Sequence, residues 1–233
     1  MKLWIAALAA LSLVACARPP AEKAPPGPPQ PVTIEAPSGQ YTLDADHSTI
    51  NASALHFGMA HYTVRFNTIS GSLNFNAQHP EQSVVDISVP TNSIDTPYAG
   101  DRDFDAELQN SEWLDSAGHP TATFHSTAIE LTGTNTGRIT GDLTIRGVTH
   151  PITFDVTFNA GYRQHPMGLP VSELGFSAHG TLHRSQYGLM VLQPRGSAST
   201  GVSDEVELTI EAEFKRPIQQ ASDTPATSTE PTN

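Results

Sequence analysis

Residues 141–158 read GDLTIRGVTHPITFDVTF, and the alternation inside this stretch decides the fold. Leu143 and Ile145 alternate with Asp142, Thr144 and Arg146. After Gly147, Ile152, Phe154, Val156 and Phe158 alternate with Thr153, Asp155 and Thr157. A period of two places every apolar side chain on one face of a strand and every polar one on the other. Two such strands joined through a short glycine-containing link form an antiparallel hairpin with one oily and one wet face. The oily face must be covered by a second sheet or closed on itself, and function turns on whether the closed face is full or hollow.

The same alternation recurs on both sides. Val85, Ile87 and Val89 alternate with Asp86 and Ser88 until Pro90 ends the strand. Ala122, Phe124 and Ser126 begin another, and Leu174, Phe176, Ala178 and Leu182 share one face of a third. Val206, Leu208, Ile210, Ala212 and Phe214 alternate with Glu205, Glu207, Thr209, Glu211 and Glu213. Two segments change parity. Ile50, Ala52 and Ala54 give way to Leu55 and Phe57, as a bulge or a strand changing face would produce, and residues 64–75 shift near 69–71, as a bent barrel strand would. Residues 99–116 break the pattern: Phe104 and Leu108 are four apart with acids early, which predicts a short helix, Trp113 and Leu114 docking it against the rest. GTNTG at 133–137 reads as a turn, and Pro166, Gly168 and Pro170 mark a loop.

About eight strands and one helical insertion predict an all-β fold, an antiparallel eight-stranded barrel. A barrel of that size is either filled by its side chains or holds one small ligand. Small inward residues (Ala52, Ala54, Ala122, Ser126, Ala178, Gly180, Ala212) suit a hollow interior and also a filled, tapering one.

Both ends read differently. Residues 1–15 have a basic start at Lys2 and an apolar core too short to span a bilayer, followed by Leu13-Val14-Ala15-Cys16. This order is a bacterial lipoprotein signal, with Cys16, the only cysteine, as the acylated first residue of the mature chain. Residues 16–38 hold eight prolines and predict a stiff tether; residues 217–233, rich in Ser, Thr and Pro, predict a disordered tail. The span 39–216 suits one all-β domain. The expected setting is the periplasm, with the acyl group in a membrane, and Ala17 after Cys16 points to the outer one. Removing Lys2 with the signal takes the formal charge from −12 to −13, and no cluster of Lys and Arg is visible, which excludes nucleic acid as a partner.

The domain resembles the YceI-like family of lipocalin-like, polyisoprenoid-binding proteins. The residues that carry the resemblance are Tyr41-x-Leu43-Asp44 with His47-Ser48, Ser93-Ile94-Asp95-Thr96, Pro120-x-x-x-Phe124-x-Ser126-Thr127, Gly141 to Thr149, and Arg184-Ser185-x-Tyr187-Gly188. The turn before the last strand departs from the family pattern, with Ser203 where a glycine is usual, and the helix-side motif around Arg102-Asp103 is looser. The resemblance implies a lipocalin-like barrel whose lumen takes an isoprenoid tail, as in a polyprenyl phosphate or a quinone, without a cofactor. Periodicity then nominates as lipid-binding Phe57, Val85, Ile87, Phe124, Leu143, Ile145, Phe154, Val156, Phe158, Leu174, Phe176, Leu182, Leu208 and Ile210, and the resemblance adds Arg184 and Tyr187. A phosphorylated head would want cations at the mouth, for which Arg102, Arg184 and Arg195 are candidates, while Arg146 points away from Leu143 and Ile145.

Ten histidines raise a second reading, a metal-dependent enzyme. His179 and His183 share a strand face, and closure could bring His47, His56, His61 and His125 together, yet spacing supplies no third ligand. Gly-x-Ser-x-Gly, His-Glu-x-x-His and phosphate-loop motifs are missing, and the acids at 101, 103, 105 and 107 suit a solvated helix face. A non-enzymatic lipid carrier is the expectation. A scaffold or stress-related surface lipoprotein is the third reading, and a homodimer is compatible with any of them.

Overall fold

The computed structural model describes residues 35–194 and 200–218. Signal, Cys16 and most of the Pro-rich segment and tail lie outside these residues. The chain forms β1 (Gly39–Leu43), β2 (Thr49–His56), β3 (Ala60–Phe66), β4 (Ser70–Phe75), β5 (Val84–Pro90), β6 (Ile94–Asp95), α1 (Phe104–Gln109), β7 (Thr121–Leu131), β8 (Thr136–Ile145), β9 (Val148–Tyr162), β10 (Val171–His183) and β11 (Val202–Pro217). Every pairing is antiparallel, and the order β1-β4-β5-β7-β8-β9-β10-β11 returns to β1, closing eight strands into a barrel. β2, β3 and β6 are the far halves of three bent strands: β11 pairs first with β2 and then with β1, β3 pairs with β2, and β6 with β3.

The quoted hairpin is β8–β9. Ile145 pairs with Val148 across Arg146 and Gly147, both with positive φ (51° and 71°), the two-residue turn whose twist matches the flanking strands. Arg146 points outward, as expected, and donates to the carbonyls of Gly188 and Ser111. The parity change in residues 64–75 is the break between β3 and β4. The one at residues 55–57 has another cause: β2 pairs regularly with β3, while the register with β11 slips between Val202 and Val206. There Ser203, the departure from the family pattern, accepts from the Leu55 N–H (2.9 Å) and donates to the Glu205 carbonyl (2.7 Å).

The helix forms inside the expected segment. Asp103 caps it by accepting from the Ala106 N–H (2.9 Å), and Leu108 is its buried residue. Residues 35–38 do not belong to a free spacer: Ala36 is buried in the core, and Pro37 accepts from the Tyr41 hydroxyl.

Two packed clusters occupy opposite ends of the barrel. One joins Ala36, Tyr41, Leu73, Phe75, Leu174 and Phe214; the other joins Leu143, Ile152, Phe154, Leu182, Tyr187 and Leu189. At the closing seam, the Asp44 N–H donates to the Glu213 carbonyl (2.8 Å) and the Glu213 N–H to the Ser48 hydroxyl (3.0 Å), which extends a β1–β11 ladder of only two residue pairs.

Candidate functional site

Between the two clusters the barrel is hollow. A cavity of about 310 Å³ follows its axis. β5 contributes Val85 and Ile87, β7 Phe124, β8 Leu143 and Ile145, β9 Phe154, Val156 and Phe158, β10 Phe176 and Leu182, and β11 Leu208 and Ile210, all as the alternation nominates. Phe124, Val156, Phe158, Phe176, Leu208 and Ile210 are only partly buried although they point inward, because the lumen leaves part of each uncovered.

Glycines set the bore. A Cβ on Gly180 would fall 2.6 Å from the Phe154 ring, and one on Gly141 2.5 Å from the Phe124 ring. Each phenylalanine therefore lies against bare backbone of a neighbouring strand, and the two rings meet edge to face (centroids 5.4 Å apart, 84°). Phe176 links Phe158 (5.5 Å) and Phe214 (6.1 Å) in a second aromatic group.

Among the described residues, none that lines the cavity carries a charged or titratable side chain. The lining reaches the exposed β7–β8 turn, where Leu131, Gly133, Thr134 and Thr136 meet solvent beside Pro80 and Ser83. Asn135 is fixed there by the Phe158 N–H, which donates to its carbonyl (2.8 Å). The lumen thus offers a nonpolar bore with a neutral, hydroxyl- and amide-bearing rim. It can solvate a hydrocarbon chain and hydrogen-bond an uncharged head.

Four nominated residues lie elsewhere. Phe57 follows β2 with a positive φ (51°) and stays exposed in the β2–β3 turn. Leu174 has the parity of Phe176 but packs with Ala36, Tyr41 and Phe214 on the β1, β10 and β11 side of the same end at which the lumen opens beside the β7–β8 turn. Tyr187 is buried in the opposite plug, edge-on to His150 (5.4 Å), with its hydroxyl pKa raised by burial. Arg184 is buried and no mouth cation: it donates to the carbonyls of Ser203 (2.8 Å), Leu189 (2.6 Å), Val191 (2.8 Å) and Val202 (2.8 Å). Burial lowers its pKa and Asp204 opposes that change. Desolvation would raise the Asp204 carboxyl, but the Ser185 hydroxyl and N–H outweigh it and hold the group low. Arg184 is a structural knot that ties residues 189–191 and 202–203 to the end of β10.

Arg102 is exposed, stacked over Tyr98 and Phe104 (5.0 and 4.3 Å) and paired with Glu107 (3.4 Å), away from the lumen. Arg195 lies outside the described residues. Several lining residues escape the sequence reading. Ile129 and Leu131 fall out of phase with Phe124 because β7 bulges between Ser126 and Ala128, while Ile139, in phase with Leu143, continues the β8 alternation towards the turn. Leu114 arrives from the segment after α1, as the docking reading anticipates.

The histidines are not gathered. His125 pairs with Asp86 (2.6 Å), His183 with Asp204 (3.5 Å), and His179 stands exposed. Among the described residues, one set has ligand atoms close enough for a metal: Asp44, His47 and Glu213. It holds one histidine, and the Lys215 ammonium already sits 3.0 Å from the Asp44 carboxylate. Desolvation would raise the Asp44 pKa, but hydrogen bonds from Lys215, His47 and the Asp46 N–H hold it low. Asp44 in turn raises both His47 and Lys215. The arrangement is a closed ionic clasp on the seam.

A family model for the YceI-like domain matches residues 41–214. The chain belongs to the YceI-like domain family. A UPF0312 protein of Pseudomonas syringae pv. tomato is 30% identical over 184 residues, covering 78% of this chain and 90% of the relative. Among solved structures, Burkholderia cenocepacia BcnA superposes with a TM-score of 0.60 at 23% identity, covering 73% of this chain and 98% of BcnA. A polyisoprenoid binding domain from Saccharophagus degradans, implicated in plant cell wall breakdown, gives 0.53 at 14% identity over 76% of this chain and 98% of that domain. These two likenesses concern the fold of this YceI-like chain.

Proposed function

We propose that this YceI-like protein binds a long-chain isoprenoid lipid in its lumen, as a non-enzymatic store or carrier in the periplasm, held at a membrane through acylated Cys16. The observation that carries the reading is the uncharged hydrocarbon bore behind a neutral rim. Each buried methylene contributes about 0.8 kcal/mol, so one isoprene unit contributes roughly 3–4 kcal/mol before costs. A few units together outweigh an immobilisation penalty on the order of 10 kcal/mol. The polyisoprenoid-binding description of the Saccharophagus domain points the same way. The rim favours a neutral head of the quinone or polyprenol type over a phosphate, because Arg184 is engaged inside the plug and Arg102 on the helix side. The untitratable lining speaks for binding rather than catalysis.

The test is organic extraction of protein purified from its native host, followed by mass spectrometry. One isoprenoid per chain supports the proposal. A lumen that yields no lipid, and takes up no added polyprenol, refutes it.

A further inference from the structure

The open end carries an apolar loop that serves no packing role. β9 runs on past its last rung with β8 (Thr136 opposite Thr157) through residues 158–162, an overhang of ~17 Å at about 3.3 Å per residue. It pairs there only with β10, and residues 163–170 join the two strands as the tip. Met167 is 86% exposed, Leu169 52% and Tyr162 42%, and Leu131 at the cavity rim, two strands away, is 54% exposed. Isolated exposed apolar residues need no explanation, but four at one open end mark an interaction surface.

Two further observations say what covers it. The described chain begins beside the base of the loop, where the Glu35 N–H donates to the Gly161 carbonyl, so the segment that connects Cys16 to the domain joins it at this end. Eighteen residues lie between Cys16 and Glu35, a reach of at most ~60 Å as polyproline II, long enough for the domain to settle on the surface that holds the acyl group. Charge agrees. Residues 156–172 contain Arg163 and no acid in a chain of net −12; His165 is paired with Glu173 (3.5 Å), and Arg216 reaches the Ser38 carbonyl at the same end. An exposed arginine among apolar side chains suits the headgroup layer of an anionic bilayer.

We infer that the β9–β10 tip, with Tyr162, Met167 and Leu169, inserts shallowly into an anionic lipid surface and presents the cavity rim to the bilayer. It goes beyond lumen binding and takes from the functional proposal only the acyl group that delivers the domain to the surface. A second exposed apolar group at the far end (Phe57, Met59, Val148, Met190 and Leu192) lies away from the point where the connection to Cys16 joins the domain, and it serves as the internal control.

The experiment places an environment-sensitive fluorophore on a cysteine introduced as Met167→Cys or Met59→Cys in the full chain as its host produces it. The labelled protein is bound to vesicles of phosphatidylethanolamine and phosphatidylglycerol that contain no isoprenoid. The expected result is a blue shift and quenching by lipid-borne quencher at position 167 and neither at position 59. Arg163→Gln should lower the partition of the tip into the surface about five-fold, the effect of one basic residue at an anionic surface. Equal quenching at both positions, quenching at 59 alone, or none at 167 overturns the inference. None of these outcomes depends on whether the lumen holds a lipid.

Discussion

Replacing Ala178 by tryptophan tests the lumen directly. Ala178 lies on β10 between Val156 of β9 and Ile210 of β11, and all three line the cavity. An indole there brings ~200 Å² of aromatic surface into a space of about 310 Å³. It displaces at least one isoprene unit, whose burial contributes roughly 3–4 kcal/mol. At 1.4 kcal/mol per decade, affinity should fall about 10²–10³-fold. His179, the next residue, is exposed on the opposite face, so His179→Trp adds the same group to the same strand outside the barrel. Titration of a fluorescent polyprenol analogue into both variants, each checked by circular dichroism and thermal melting, reads the difference. A folded Ala178→Trp protein with unchanged affinity would refute the claim that this bore is the binding site. Val156→Phe is a milder plug if the tryptophan prevents folding.

Arg184→Met should lower stability by at least ~3 kcal/mol in chemical denaturation, because hydrogen bonds to charged groups contribute ~1.5–3 kcal/mol each and four carbonyls, one buried and three part-buried, lose their donor. If Arg184 were a head-group cation, the same change would instead spare stability and weaken binding. Leu174→Ala should cost about 2–5 kcal/mol while leaving polyprenol affinity of the folded protein unchanged, since Leu174 packs outside the lumen. Gly180→Val should cost ~1–3 kcal/mol by overpacking and shorten the longest chain accepted in a polyprenol length series, as the Phe154 ring is driven into the bore. Asp44→Asn should cost about 1 kcal/mol near neutrality, discounted because both cationic partners are exposed. The Asp44 pKa is depressed, so its contribution is present above about pH 4 and is lost as the pH falls through its folded value. The His47 pKa is raised, so its part is present below about pH 6.5 and is lost as the pH rises through its folded value. The stability gap between wild type and variant should therefore peak at about pH 5–6, and a gap that grows steadily into alkali would contradict the assignment.

Strand alternation is local, and so the barrel could be read from residues such as Leu143, Ile145 and Phe154, while Phe104 and Leu108 placed the helix within its segment. What could not be read depends on contacts between distant segments. The β7 bulge takes Ile129 out of phase with Phe124, and nothing in residues 121–131 announces it. Leu174 and Phe176 are equivalent in pattern, yet residues 35–38 fold over one end of the barrel and bury only the first. Arg184 reads as a solvated cation because charged residues are rarely buried unless paired. Its partners are backbone carbonyls on a loop and on β11, which carry no sequence signature. The position of the opening follows from where β7 and β8 stop relative to β9, a three-dimensional relation among strand ends.

The flat seats beneath Phe124 and Phe154 have an evolutionary corollary. At Gly180 the calibre of the channel is governed by atoms that the backbone lacks: a side chain there meets the Phe154 ring first, whereas one at Gly141 meets the His125 backbone carbonyl as well as the Phe124 ring, so a codon change at position 180 narrows the bore with the least disturbance to the strands. A lineage could therefore retune the girth of its cargo while keeping the scaffold, and position 180 is the first to compare among relatives with different lipids.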